Sequence, residues 1–136
     1  MNAVVLDASI VIKWFRSAGE AHVEAARSLR ADLEAGNLTV HAPPLLYLEI
    51  VNVAGRRWHW RRPELVELAY TLGDLGFVLR EPPLVGIAEW TARGLTAYDA
   101  SYVALAEAEA VKVVTDDERL LAIATDVAVP LSALET

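Results

Sequence analysis

With 136 residues, 54% of them apolar and 23% charged, the chain is long enough to bury a core unaided, and it contains no cysteine. Disulfide scaffolds, thiolate zinc sites and cysteine nucleophiles are therefore excluded together. Nineteen acidic side chains against twelve Lys and Arg give a net charge of −7, which opposes a nucleic-acid partner unless positive charge is gathered locally.

Residues 3–6 form a short β-prone run ending at Asp7 and predict a buried strand that opens the fold. No basic flank precedes it, and Asp7 and Lys13 interrupt the apolar runs. The expectation is a soluble, cytoplasmic protein of one domain, residues 1–136, with no cleaved signal and no membrane span. From 20 to 35, Val23, Ala26, Leu29 and Leu33 recur at helical spacing and Gly36 supplies a stop. Residues 38–42 read as a second strand. After Pro43 and Pro44, helical character returns from 45 to about 60, and Pro63 starts another helix closed by Gly76.

Residues 77–80 are strand-like, 84–93 a short helix, 97–110 an Ala-rich helix, 111–114 a strand and 116–125 a helix. Residues 127–131 read as a last strand at the sheet edge, since Pro130 cannot donate to a ladder. Strands alternating with helices imply parallel pairing with right-handed crossovers, so the expected fold is a three-layer α/β/α sandwich around a mostly parallel sheet.

Open parallel sheets bind ligands beyond the carboxyl ends of their strands. Asp7 follows the first strand there, and Asp116 and Asp117 follow the strand at 111–114. Asp7 has an alternative reading as a helix cap, and Thr115-x-x-Glu118 has the spacing of a capping box. Glu49 lies in an almost wholly apolar helix with no basic residue three or four positions away; a carboxylate beside the core needs a cation, a metal or a proton. The alternative is a glutamate on a solvent stripe. Asp99 shares a helix face with Tyr102, Val103 and Ala106 and is expected to face inward, unless it only pairs with Thr96 as a cap.

Clustered carboxylates repel one another unless a cation joins them. Oxygen donors alone, with His22, His41 and His59 all outside these segments, select Mg²⁺ or Mn²⁺ over zinc. Such ions activate water and stabilise the leaving oxygen in phosphodiester hydrolysis.

Val4-Val5-Leu6-Asp7-Ala8-Ser9, Glu49-Ile50-Val51-Asn52, Leu95-Thr96-Ala97-Tyr98-Asp99-Ala100-Ser101-Tyr102 and Val113-Val114-Thr115-Asp116-Asp117-Glu118-Arg119-Leu120 together resemble a PIN domain. More narrowly, they resemble the VapC ribonuclease toxins of bacterial and archaeal toxin–antitoxin pairs. The resemblance spans nearly the whole chain. It implies an acidic metal site of Asp7, Glu49, Asp99 and Asp117, with Asp116 as a reserve ligand, and it gives Ser9 and Thr115 the role of orienting carboxylates or waters. Local turn hydrogen bonds are the other reading of those two hydroxyls. It also implies an endoribonuclease, a homodimer, and a small VapB-like antitoxin that sets a basic side chain among the carboxylates.

The charge objection is met locally. Setting aside the four proposed ligands leaves fifteen acids against twelve bases, and the stretch from Arg56 to Arg62 holds four basic residues in seven positions. Asn52 and Arg56 share the helix face of Glu49 and are candidate RNA contacts, Arg56 roughly 10 Å along the axis. The competing reading is a helix end bearing favourable cations, with Trp58 or Trp60 packed in the core or a dimer interface. Lys13 stays open between a phosphate contact and a solvated position.

Two rival functions remain. A haloacid-dehalogenase-like phosphotransfer enzyme would use Asp7 as nucleophile, although Ser9 stands where such enzymes usually carry a second aspartate. A catalytically silent module would use the Arg/Trp tract to bind RNA or protein.

Overall fold

The computed structural model describes residues 2–135. Its centre is a five-stranded, wholly parallel sheet of β1 (Ala3–Leu6), β2 (Thr39–Ala42), β3 (Val78–Leu79), β4 (Lys112–Thr115) and β5 (Ala128–Pro130), in the order β3-β2-β1-β4-β5. Seven helices flank it in an α/β/α sandwich: α1 (Ala8–Val11), α2 (Val23–Glu34), α3 (Leu45–Arg56), α4 (Arg62–Asp74), α5 (Leu84–Ala92), α6 (Ala97–Ala108) and α7 (Glu118–Ile123). Val4, Val5 and Leu6 of β1 are all fully buried, so both faces of the central strand are covered. No helix among the described residues is long and apolar enough to cross a membrane.

The chain moves outward from β1 to β2 and β3, then returns to lay β4 on the other side of β1. The sheet therefore reverses direction between β1 and β4, where Val5 pairs with Val113 and Leu6 with Val114. A crevice opens outside the carboxyl ends of the strands at such a reversal. Asp7 and the turn after Thr115 both emerge into it.

Several elements are shorter than their sequence pattern. The helix expected to reach about residue 60 stops at Arg56, because Trp58 and Trp60 turn in to pack on the core and His59 takes a φ of +58°. The tract from Arg56 to Arg62 is thus a bend between two helices and not one helix face. The helix expected from 116 begins at Glu118, since Asp117 is extended and caps it. Leu131 leaves the expected last strand for a 3-10 turn, Leu131–Leu134, where it is fully buried. The strand at 77–80 reduces to Val78–Leu79. After Asp7 the chain forms α1 and a 3-10 turn, Ile12–Trp14, which bury Ile10, Val11 and Lys13.

Candidate active site

Asp7 stands at the end of β1 with extended backbone (φ −84°, ψ 178°) and is only 5% exposed. Its Oδ1 accepts from the Ser9 amide at 3.1 Å and the Ser9 hydroxyl at 2.5 Å. Its Oδ2 accepts from the Thr115 hydroxyl. Each hydroxyl is itself fixed from the β4–α7 turn: the Asp116 amide donates to Ser9 Oγ at 3.0 Å, and the Asp117 amide to Thr115 Oγ1 at 2.9 Å. The two small hydroxyl residues thus link both strand ends through one carboxylate. Asp7 caps α1 as well, so capping and a place in the crevice are compatible.

Glu49 is half-buried midway along α3, and its Oε1 accepts from the phenol of Tyr102, which is 1% exposed on α6. The solvent-stripe reading of Glu49 fails for that reason. Asp99 is half-buried in the first turn of α6, where Thr96 caps the helix by accepting its amide at 3.1 Å. A turn at Gly94, whose φ of +113° is closed to L side chains, delivers Thr96 to that position. Asp117 accepts from the Leu120 amide at 3.0 Å as the cap of α7.

These four carboxylates, drawn from four helix segments, sense one another. Burial pushes Asp7 from 3.8 up to about 7, against the lowering pull of Ser9 and Thr115, and the charge of Asp99 raises it further. Glu49 is raised by burial and by Asp99 although Tyr102 opposes the shift. Asp99 is raised by burial and by Asp117, with Thr96 and Arg119 pulling the other way. Asp99 is the hub of this repulsion. Among the described residues no three His, Cys, Asp or Glu side chains close tightly enough on one point to ligate an ion.

Asp116 behaves differently from its neighbour. Its Oδ2 lies 2.8 Å from Lys13 Nζ, which also meets Glu20 at 3.2 Å and the Ala21 carbonyl at 2.7 Å. Lys13 is 4% exposed, which corrects both sequence readings of it: it is neither a phosphate contact nor a solvated surface group. Burial pulls its ammonium down, but Asp116 and Glu20 outweigh that and hold it above the ordinary lysine value. Asp116 is therefore a paired carboxylate. Asn52 and Arg56 are exposed on α3, three and seven residues beyond Glu49.

In donor type, though not in the spacing of the side chains seen here, the set is that of a hard divalent cation. Burial first, and the charge of a neighbouring carboxylate second, raise Asp7, Glu49 and Asp99 from their ordinary values. The nearest buried ammonium is committed to Asp116 and Glu20, while Arg119 is hydrogen-bonded to the Gly94 carbonyl at 2.8 Å. Sequence reasoning missed Lys13 and the role of Tyr102. A signal for Tyr102 existed, three residues after Asp99 on the same helix face; Lys13 has a partner 103 residues away and gave none.

A PIN domain sequence profile matches residues 4–126. Among solved structures, the chain is similar to PAE2754 from Pyrobaculum aerophilum at 25% identity and a TM-score of 0.68, covering 98% of this chain and 92% of that one. It is similar to VapC20 of Mycobacterium tuberculosis, a sarcin-ricin loop cleaving toxin, at 19% identity and a TM-score of 0.64, covering 88% and 93%. VapBC-1 from nontypeable Haemophilus influenzae gives 14% identity and a TM-score of 0.63 over 96% and 98%. No curated protein matches the sequence.

Proposed function

The chain belongs to the PIN domain family, and from that premise we propose that it is a Mg²⁺- or Mn²⁺-dependent endoribonuclease of the VapC toxin type. The observation that carries this reading is that Asp7, at the carboxyl end of β1 where the strand order reverses, and Glu49 are each raised by burial and by the charge of Asp99, which Asp117 raises in turn. Asp7, Glu49, Asp99 and Asp117 are the residues that would hold the ion, with Asp116 withdrawn by Lys13. When bound, such an ion polarises the phosphodiester, lowers the pKa of the attacking water and stabilises the leaving oxygen. Ser9 and Thr115 hold both oxygens of Asp7, and Tyr102 holds Glu49, so neutral hydroxyl donors set the orientation of these two carboxylates. Those two hydroxyl bonds also disfavour Asp7 as a covalent nucleophile. Asn52 and Arg56, exposed beyond Glu49, are proposed RNA contacts.

The proposed partners are an RNA substrate, a small VapB-like antitoxin and a second copy of the chain. Pairing is supported by a groove that sets Pro43, Pro44, Leu45, Pro82 and Leu84 beside Glu81 and Ser101, with Leu48 exposed on α3 and Val85 on α5.

The test is incubation of structured RNA with the protein and Mg²⁺ or Mn²⁺, beside EDTA and Asp7→Asn controls. Cleavage confined to the untreated protein is expected. Equal cleavage in all three reactions, or none with either metal, defeats the proposal, and the second outcome favours a silent binding module.

Tyr102→Phe gives a finer check. The phenol lowers the Glu49 pKa, so its removal raises that pKa further. Cleavage by the variant is expected to lose activity at a higher pH than the parent as the medium is acidified, while the retained ring keeps the fold. Superimposable pH–rate profiles contradict this role.

A further inference from the structure

About 12 Å of helix separates the carboxylate cluster from a second polar cavity, at 1.5 Å per residue over the eight residues from Glu49 to Arg57. It has a volume of about 260 Å³ and is lined by Ile12, Arg16, Ala18, Glu20, Arg57 and Trp58. α1, capped by Asp7, packs against α3, which carries Glu49, and the residues that follow the two helices, Ile12 and Arg57, line this cavity. The route from cluster to cavity thus runs along two adjoining helices.

The chemistry of the lining is that of an anion site. Among the described residues, neither Arg16 nor Arg57 has a carboxylate within 4.0 Å or a side-chain hydrogen bond, and both are exposed. The Arg16 guanidinium sits 5.6 Å over the Trp58 ring. Trp58 is itself steadied by Trp60, with ring centroids 5.1 Å apart, and by packing on the core. Arg16 is therefore held on a firm platform and not left to sweep through solvent. Glu20 is the acidic residue in the wall, and its carboxylate is turned to Lys13 at 3.2 Å. In sequence the positive tract runs from Arg56 to Arg62; the fold adds Arg16 to it from forty residues upstream.

We propose that this cavity binds a phosphate of the substrate RNA strand away from the bond that is cut, with Arg16 and Arg57 as the two guanidinium donors and the Arg16–Trp58 stack as the surface on which the attached base rests. Planar guanidinium forks match phosphate oxygens, and unpaired bases stack on aromatic rings and arginine planes. At a stacked rise of about 3.4 Å per nucleotide, the cavity lies about three to four nucleotides from the carboxylates. The inference rests on the endoribonuclease reading above and adds a length requirement to it.

The test measures fluorescence anisotropy of labelled oligouridylates of two and twelve nucleotides, with Ca²⁺ as the hard divalent ion. The chains compared are the unaltered protein, Arg16→Ala, Arg57→Ala and, as a control for net charge, Arg27→Ala. Expected is tighter binding of the twelve-mer by the unaltered protein, a loss of about tenfold in each of the first two variants on the twelve-mer alone, and no loss in Arg27→Ala. The slope of log affinity against log salt on the twelve-mer is expected to fall by about 0.7 for each phosphate contact removed. If Arg16→Ala and Arg57→Ala bind the twelve-mer as the unaltered protein does, or lose affinity equally for both lengths, the cavity inference is overturned while the nuclease reading stands. If the unaltered protein binds neither length, both fall together.

Discussion

Asp7→Asn is expected to reduce metal-dependent RNA cleavage by more than about 100-fold, since even outer partners of metal ligands matter about 10–100-fold, and at the same time to raise the thermal midpoint of the metal-free protein at pH 8. Both effects come from one buried charge. Asp7 is 5% exposed and its folded pKa is pushed to about 7, against 3.8 for the free side chain. Between those values the folded chain keeps a proton that the unfolded chain has released. Stability therefore falls as pH rises from about 4 to about 7, and above that the ionised carboxylate costs up to about 4 kcal/mol. Asparagine has no such ionisation and can still meet Ser9 and Thr115. Melting followed by circular dichroism should show the variant gaining on the order of 10 °C at pH 8 and nothing at pH 4, at about 3–5 °C per kcal/mol for a domain of this size. A divalent ion that binds only the folded state should restore the parent and leave the variant unmoved. Identical melting profiles across pH for the two chains contradict the buried-charge account.

Lys13→Met is expected to be among the most destabilising single changes at a charged position. The ammonium is 4% exposed and holds Asp116, Glu20 and the Ala21 carbonyl together. Removing one partner of a buried pair typically costs about 3–5 kcal/mol; here the carboxylates are partly solvated, which brings the expectation to about 2–4 kcal/mol. Lys13→Met with Asp116→Asn removes both members of the closer ion pair and should recover more than half of the loss in urea unfolding. A double variant as unstable as Lys13→Met alone rules out this coupling.

The sequence pattern located β1, the helix carrying Glu49 and the turn after β4 because their signals are local: apolar runs, helical spacing, and acids placed where strands end. Asp99 was legible as an inward residue from its stripe with Tyr102, Val103 and Ala106. The groups that fix these acids were not. Tyr102 reaches Glu49 across 53 residues and Thr115 reaches Asp7 across 108, and no window along the chain contains such pairs. The helical reading ran past Arg56 for a related reason, since the burial of Trp58 and Trp60 outweighs the helical tendency of the residues between them.

The position of β4 beside β1 has a consequence for the protein during its own synthesis. β1 is the first strand to leave the ribosome, yet one of its two flanking strands comes from Lys112–Thr115, and Asp7 has its second hydroxyl donor only when Thr115 arrives. A nascent chain halted before that point exposes one edge of its central strand and lacks Asp117 altogether. Truncation ahead of Thr115 therefore removes, in one step, the cover on that strand edge, a hydroxyl that holds Asp7 and one of the four carboxylates of the crevice.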